Sequence, residues 1–143
     1  MDKTLFRGRE LAKQLVSFDG LRYARGITPT DIDAAFDFGN RLFVLLEVKH
    51  GMSQMPRGQE MCLERMCDNL SKQDPITGVN RRCLLMLAHD FHTEHPEEDV
   101  DASKCMVSKY RFDGVWRSPI CDITVRAAID KTLRMLGMLE YIV

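Results

Sequence analysis

No run of about 18 apolar residues, the length a helix needs to cross a bilayer, occurs in the sequence, and no signal-like apolar segment stands near its start. Neither a membrane span nor export is expected. An excess of charge of one sign is also lacking. The 20 Lys and Arg stand against 21 Asp and Glu, a net charge of −1. General attraction to a polyanion is thereby excluded, so contact with nucleic acid needs a local patch or a metal ion. The five cysteines form no C-x-x-C pair and sit in apolar runs such as Cys83-Leu84-Leu85-Met86-Leu87. That pattern fits buried thiols in a reducing cytoplasm, not a disulfide framework. No Gly-rich phosphate loop, Ser-His-Asp pattern, internal repeat or low-complexity tract is present. No organic cofactor is expected.

What is there suits one globular domain over residues 1–143, with 45% hydrophobic and 29% charged residues. A helix is expected from Thr4 to about Phe18, with Leu5, Ala12, Leu15 and Val16 on one face. A short first strand is expected around Leu21–Tyr23. Ile32–Phe38 alternates as a strand, Gly39-Asn40 is turn chemistry, and Leu42–Lys49 is an apolar strand with a charged end. A helix follows from Arg57 to about Lys72, then a buried strand at Cys83–Ala88, a hairpin through Asp113-Gly114, and a last helix to about Leu139. This order implies a mixed α/β or α+β fold, a mixed central sheet flanked by helices.

The informative residues are Asp33 and Glu47-Val48-Lys49. Glu47 and Lys49 are two apart and share one strand face, whereas Val48 points to the other. A Gly39-Asn40-Arg41 loop sets Asp33 across from Glu47. A Gly39-Asn40 loop pairs Asp33 with Leu46 and puts the two acids on opposite faces. In the first register, two carboxylates and an ammonium converge on one spot. Such hard oxygen ligands suit Mg²⁺ or Mn²⁺, with the Val48 carbonyl as a further ligand. Phosphodiester hydrolysis is the chemistry this would serve, with Lys49 orienting the attacking water or stabilising transition-state charge. A structural ion pair of Asp33 or Glu47 with Lys49 is the competing reading.

Asp33…Glu47-Val48-Lys49 resembles the D…(D/E)-x-K signature of the PD-(D/E)XK nuclease superfamily. That superfamily includes restriction endonucleases, Holliday-junction resolvases and VRR-NUC-type nucleases. The segments carrying the likeness are Thr28-Pro29-Thr30-Asp31-Ile32-Asp33, Glu47-Val48-Lys49, Pro56-Arg57-Gly58-Gln59 and Leu63-Glu64-Arg65. Weaker agreement comes from Val107, the aromatic hairpin with Trp116, and Ala128-Ile129-Asp130. Small phage-encoded members are the nearer match. The resemblance implies a restriction-endonuclease-like αβββαβ core and a Mg²⁺-dependent nuclease. It implies Asp33 and Glu47 as metal-binding acids, Lys49 as catalytic lysine and Gln59 as the helix glutamine beside the site. Gln59 capping its own helix is the alternative. Asp31 is either a second acid or a turn residue. Glu10 is the only helix acid available for a further metal, and it lies off the apolar face.

Structured or double-stranded DNA is the expected substrate, cytoplasm the expected location, and a homodimer the expected assembly, since cutting a duplex takes two sites. The hairpin aromatics Tyr110, Phe112 and Trp116, or Met135, Met138 and Leu139, would supply the interface or else close the protomer core. A zinc site from Cys83, His89, His92 and His95 lacks a cysteine pair. Arg81-Arg82 and Lys109 with Arg111 read as surface or phosphate contacts.

Overall fold

The computed structural model describes residues 17–91 and 99–143. The first expected helix falls almost wholly outside the described residues, as do Glu10, His92 and His95. The chain divides into two compact units, Met1–Thr30 and Asp31–Val143.

In the first unit the strand expected around Leu21–Tyr23 does not form. Two single 3₁₀ turns, Asp19–Leu21 and Ala24–Gly26, occupy this region instead. Arg25 and Gly26 both take left-handed φ values, 63° and 72°. They turn the chain back so sharply that only Tyr23 and Ile27 pair, in an isolated bridge.

The second unit is built on five strands. β1 (Ala34–Phe38) and β2 (Leu42–His50) form a hairpin. The helix α1 (Arg57–Leu70) leads to β3 (Arg82–Asp90), then β4 (Met106–Phe112), β5 (Val115–Arg117) and the helix α2 (Val125–Met135). The sheet order is β1-β2-β3-β4-β5. Only β2 and β3 run parallel; every other neighbouring pair is antiparallel. The protein is therefore a mixed α/β fold with a five-stranded mixed sheet and two α-helices among the described residues.

Alternation decides which face each helix covers. Leu42, Val44 and Leu46 of β2, with Leu84, Met86 and Ala88 of β3, pack under Val125, Ile129 and Leu133 of α2. Leu45, Cys83, Leu85 and Leu87 face the other way and pack under Leu63 and Cys67 of α1. Burial on both faces explains the unbroken apolar runs in these two strands. Each fully buried leucine contributes roughly 1.5–3 kcal/mol. Thr124 caps α2, its hydroxyl accepting from the Ala127 amide. The helix stops at Met135, short of the expected Leu139, because Gly137 takes a left-handed φ of 70° and the Met138 amide turns back to Leu133 O.

The β1–β2 turn sets the register of the site. Gly39 and Asn40 both have positive φ, 64° and 61°. Leu42, not Arg41, pairs with Phe38. Arg41 is left over in the loop and pairs with Glu140. At Gly39 an added Cβ would lie 2.5 Å from the Tyr141 hydroxyl, so a side chain there would have to displace the Tyr141 ring.

Candidate active site

The site forms where β2 runs past the end of its covering apolar layer. Leu45 is the last apolar residue on the α1 side, and the next two residues on that face are Glu47 and Lys49. Glu47 is only 4% exposed. Its Oε1 lies 3.0 Å from Lys49 Nζ. Its Oε2 is buried and has no hydrogen-bond partner among the described residues. A buried carboxylate oxygen normally finds a donor or a cation, so an orphan is costly.

The first turn of α1 reaches the same place. Gln59 Oε1 accepts from Lys49 Nζ at 3.3 Å, and Gln59 Nε2 donates to the Asp31 carbonyl at 3.0 Å. Gln59 therefore spends both ends of its amide on neighbouring segments and does not cap its own helix. Asp31 contributes that carbonyl; its side chain belongs to an exposed residue.

Asp33 sits one residue ahead of β1, at a bend. The strand pairing ends at Ala34 opposite Leu46, in the register that the three-residue loop sets. The bend shifts the preceding residue, since Ile32 packs on the α1 side. Asp33 N–H donates to Leu46 O at 3.1 Å, and Asp33 Oδ2 accepts from Val48 N–H at 2.6 Å. The Val48 amide thus faces the side from which β1 has already ended. Strand geometry sends the carbonyl of a residue the same way as its amide.

These groups can be tested against a divalent metal. The orphaned Glu47 Oε2, the second oxygen of Asp33 and the Val48 carbonyl are hard ligands of the right kind. No group of three His, Cys, Asp or Glu side chains suited to a metal occurs among the described residues. A two-carboxylate site completed by a main-chain oxygen and water is still within the habit of Mg²⁺. The residues fit.

The expected strand at Cys83–Ala88 runs from Arg82 to Asp90, one residue earlier at its start and two later at its end. His89 and Asp90 therefore belong to the sheet, not to a loop. Lys49 pairs in register with His89, and His50 with Asp90. His89 Nε2 lies 2.8 Å from Ser53 O. Cys83, near the opposite end of the same strand, is too far along it to join His89 in a zinc site. His50 lies on the face away from Glu47, its Nδ1 3.8 Å from Asp90 Oδ2.

The basic pairs on β3 and β4 are already partnered. Lys109 Nζ bonds Glu60 Oε2 at 2.9 Å and lies 4.5 Å above the Trp116 ring. Arg111 holds Asp68 through two hydrogen bonds. That guanidinium keeps the Asp68 carboxyl below the usual carboxylate range. Trp116 Nε1 donates to Glu64 Oε1 at 2.7 Å and lowers the Glu64 carboxyl likewise. Glu60, Glu64 and Asp68 recur every four residues along one side of α1, and this row ties the helix to β4 and β5. The row itself was the available signal, an acidic i, i+4 ladder facing a hairpin with basic residues. Tyr110, Phe112, Trp116 and Met138 are packed into the protomer core, while Met135 and Leu139 stay exposed.

No family model, curated protein or solved structure matches the chain. Among the described residues no helix is long and apolar enough to cross a membrane.

Proposed function

We propose that the chain is a divalent-metal-dependent nuclease of the PD-(D/E)XK type that hydrolyses phosphodiester bonds in DNA. The observation that carries this reading is the buried Glu47 carboxylate, one oxygen held by Lys49 and the other without a partner. The β1-β2-α1-β3 order keeps two of the three strands that an αβββαβ core sets before its helix, and α1 brings Gln59 to Lys49.

Asp33, Glu47 and the Val48 carbonyl would hold Mg²⁺ or Mn²⁺. When bound, that ion would neutralise scissile-phosphate charge and acidify a water. Lys49 does the chain's own part. Glu47 and Gln59 hold its ammonium from two sides, so it can donate to a phosphate oxygen or to the attacking water without first reorganising. Gln59 is a positioning residue, coupling Lys49 to the backbone before β1. In this reading the protein works in the cytoplasm, the host's if it is phage-encoded. It works as a homodimer through the exposed Met135 and Leu139. Light scattering at micromolar concentration reads that point: twice the chain mass supports it and a monomer mass rejects it.

A second reading is a protein of the same fold that binds nucleic acid or a host protein without cutting, as a phage counter-defence factor would. The short Asp33 Oδ2 to Val48 N–H bond favours it, because it occupies one oxygen of a would-be ligand. Incubation of purified protein with plasmid and branched DNA, with Mg²⁺ or Mn²⁺, separates the two. Nicking that disappears in Asp33→Ala and Glu47→Ala supports the nuclease. Intact DNA under both ions rejects it.

A further inference from the structure

A groove of about 490 Å³ opens on the α1 side of the sheet, the side that carries Glu47 and Lys49. Leu87 and His89 line it, and these residues pair in register with Glu47 and Lys49. Groove and candidate site are therefore neighbours on adjacent parallel strands. The His89 ring is nearly buried and anchored on Ser53 O. The Phe91 ring lies 6.1 Å from it at an interplanar angle of 25°. Phe91 is 56% exposed and Met52, on the rim, 83% exposed. Among the described residues the Lys109 ammonium lines the groove, and it is already balanced by Glu60.

This lining is half apolar, with one exposed aromatic ring, Phe91, and half polar, including the Glu60 carboxylate. It suits a flat heterocycle more than a line of phosphates. A base inside a duplex is stacked on both sides and offers only its edges. A base that has left the stack can lie against an aromatic ring. Among the described residues Arg82, Lys109 and Arg111 of β3 and β4 are each paired with an acid, which leaves these cations less free to track a duplex backbone.

We propose that this groove seats one unpaired nucleobase beside the bond to be cut, so that the substrate is DNA with a free strand, a flap or single-stranded end, and not an uninterrupted duplex. The proposal rests on the nuclease reading above. Phe91 supplies the stacking face and His89 backs it.

The test uses one labelled sequence in three forms: single strand, 5′-flap and blunt duplex. Affinity is measured by fluorescence anisotropy without divalent metal, and cleavage with Mn²⁺. The expected result is single-strand and flap binding at least about tenfold tighter than duplex, with cleavage confined to the unpaired strand or its junction. Phe91→Ala should weaken single-strand binding roughly fivefold or more, the scale of one lost base–aromatic stack, and Phe91→Trp should restore it. Phe91 is exposed, so both variants should melt as the parent does. Equal affinity for all three DNAs, or unchanged single-strand binding in Phe91→Ala, overturns the groove assignment. Duplex cleavage without strand preference overturns it too, while leaving the nuclease reading intact. Single-strand binding lost in Phe91→Ala but accompanied by no cleavage under Mn²⁺ upholds the groove and rejects the nuclease. No binding and no cleavage of any form rejects both.

Discussion

Lys49→Ala separates the catalytic from the structural account of the site. In the parent, Lys49 Nζ stands 3.0 Å from Glu47 Oε1, and Glu47 is almost fully buried with Oε2 already unpartnered. Removing the ammonium leaves Glu47 with no cation. Breaking a buried pair from one side costs about 3–5 kcal/mol. The Lys49 side chain is 21% exposed, so water would reach part of the gap and the low end applies, about 3 kcal/mol. For a chain of this size each kcal/mol moves Tm by roughly 2–4 °C, so the expected fall is about 6–12 °C. Mg²⁺ supplies the missing positive charge and should recover part of that loss, raising the Tm of Lys49→Ala more than that of the parent. The cleavage rate should fall by roughly a hundredfold or more and should not return with added metal, because the ion cannot replace a donor aimed at the transition state. The double variant Glu47→Gln with Lys49→Ala should melt higher than Lys49→Ala alone, since it removes the stranded charge. The assay is paired, thermal melting with and without Mg²⁺ beside a cleavage rate on plasmid and on 5′-flap DNA. A Lys49→Ala protein that melts within about 1 °C of the parent and ignores Mg²⁺ would refute the reasoning, because the pair would then be worth no more than a surface contact.

Asp33→Asn keeps an oxygen for the Val48 amide and should melt as the parent does, yet lose roughly a hundredfold or more in cleavage; full activity would remove Asp33 from the site. Gly39→Ala forces a methyl group onto the Tyr141 hydroxyl at a left-handed φ and should cost about 1–3 kcal/mol by urea denaturation, and an unchanged midpoint would contradict the packing. Asp74 titrates far down, to about 2, because the Ile76 amide, then the Asn40 side chain, hold its carboxylate. Its folded value lies below the unfolded one, so its stabilisation is complete above about pH 4 and fades as pH falls toward 2. Asp74→Ala should therefore flatten part of the fall in Tm across that window, and a slope identical to the parent's would count against it.

Local pattern made much of this legible. The Leu42–Leu46 run reads as a strand and Asp113-Gly114 as a tight turn, which both residues enter with positive φ. The helix from Arg57 is legible in the spacing of Leu63, Met66, Cys67 and Leu70. The strand around Leu21–Tyr23 was misjudged because a short apolar patch carries no record of whether a partner strand exists. The end of β3 was placed too early for the opposite reason. His89 and Asp90 look like loop residues, yet parallel pairing with Lys49 and His50 extends the strand through them. Lys109 and Arg111 looked free for phosphate because their acids, Glu60 and Asp68, lie more than 40 residues away in the chain.

The sequence by itself determined the elements and the shared face of Glu47 and Lys49, since a two-residue period is a property of the strand alone. It left two registers for the β1–β2 hairpin, and with them two fates for Asp33. Tertiary structure chose between them. Pairing Phe38 with Leu42 buries both against the α2 side of the sheet. The alternative would set Arg41 there, and Arg41 instead stays in the loop with Glu140 from the far end of the chain. Tertiary structure also brought Gln59 to Lys49 and the aromatic groove to their side, since both depend on α1 and β3 packing beside β2. Backbone periodicity is local and therefore readable. Which charge meets which depends on burial shared between distant segments, and no local pattern carries it.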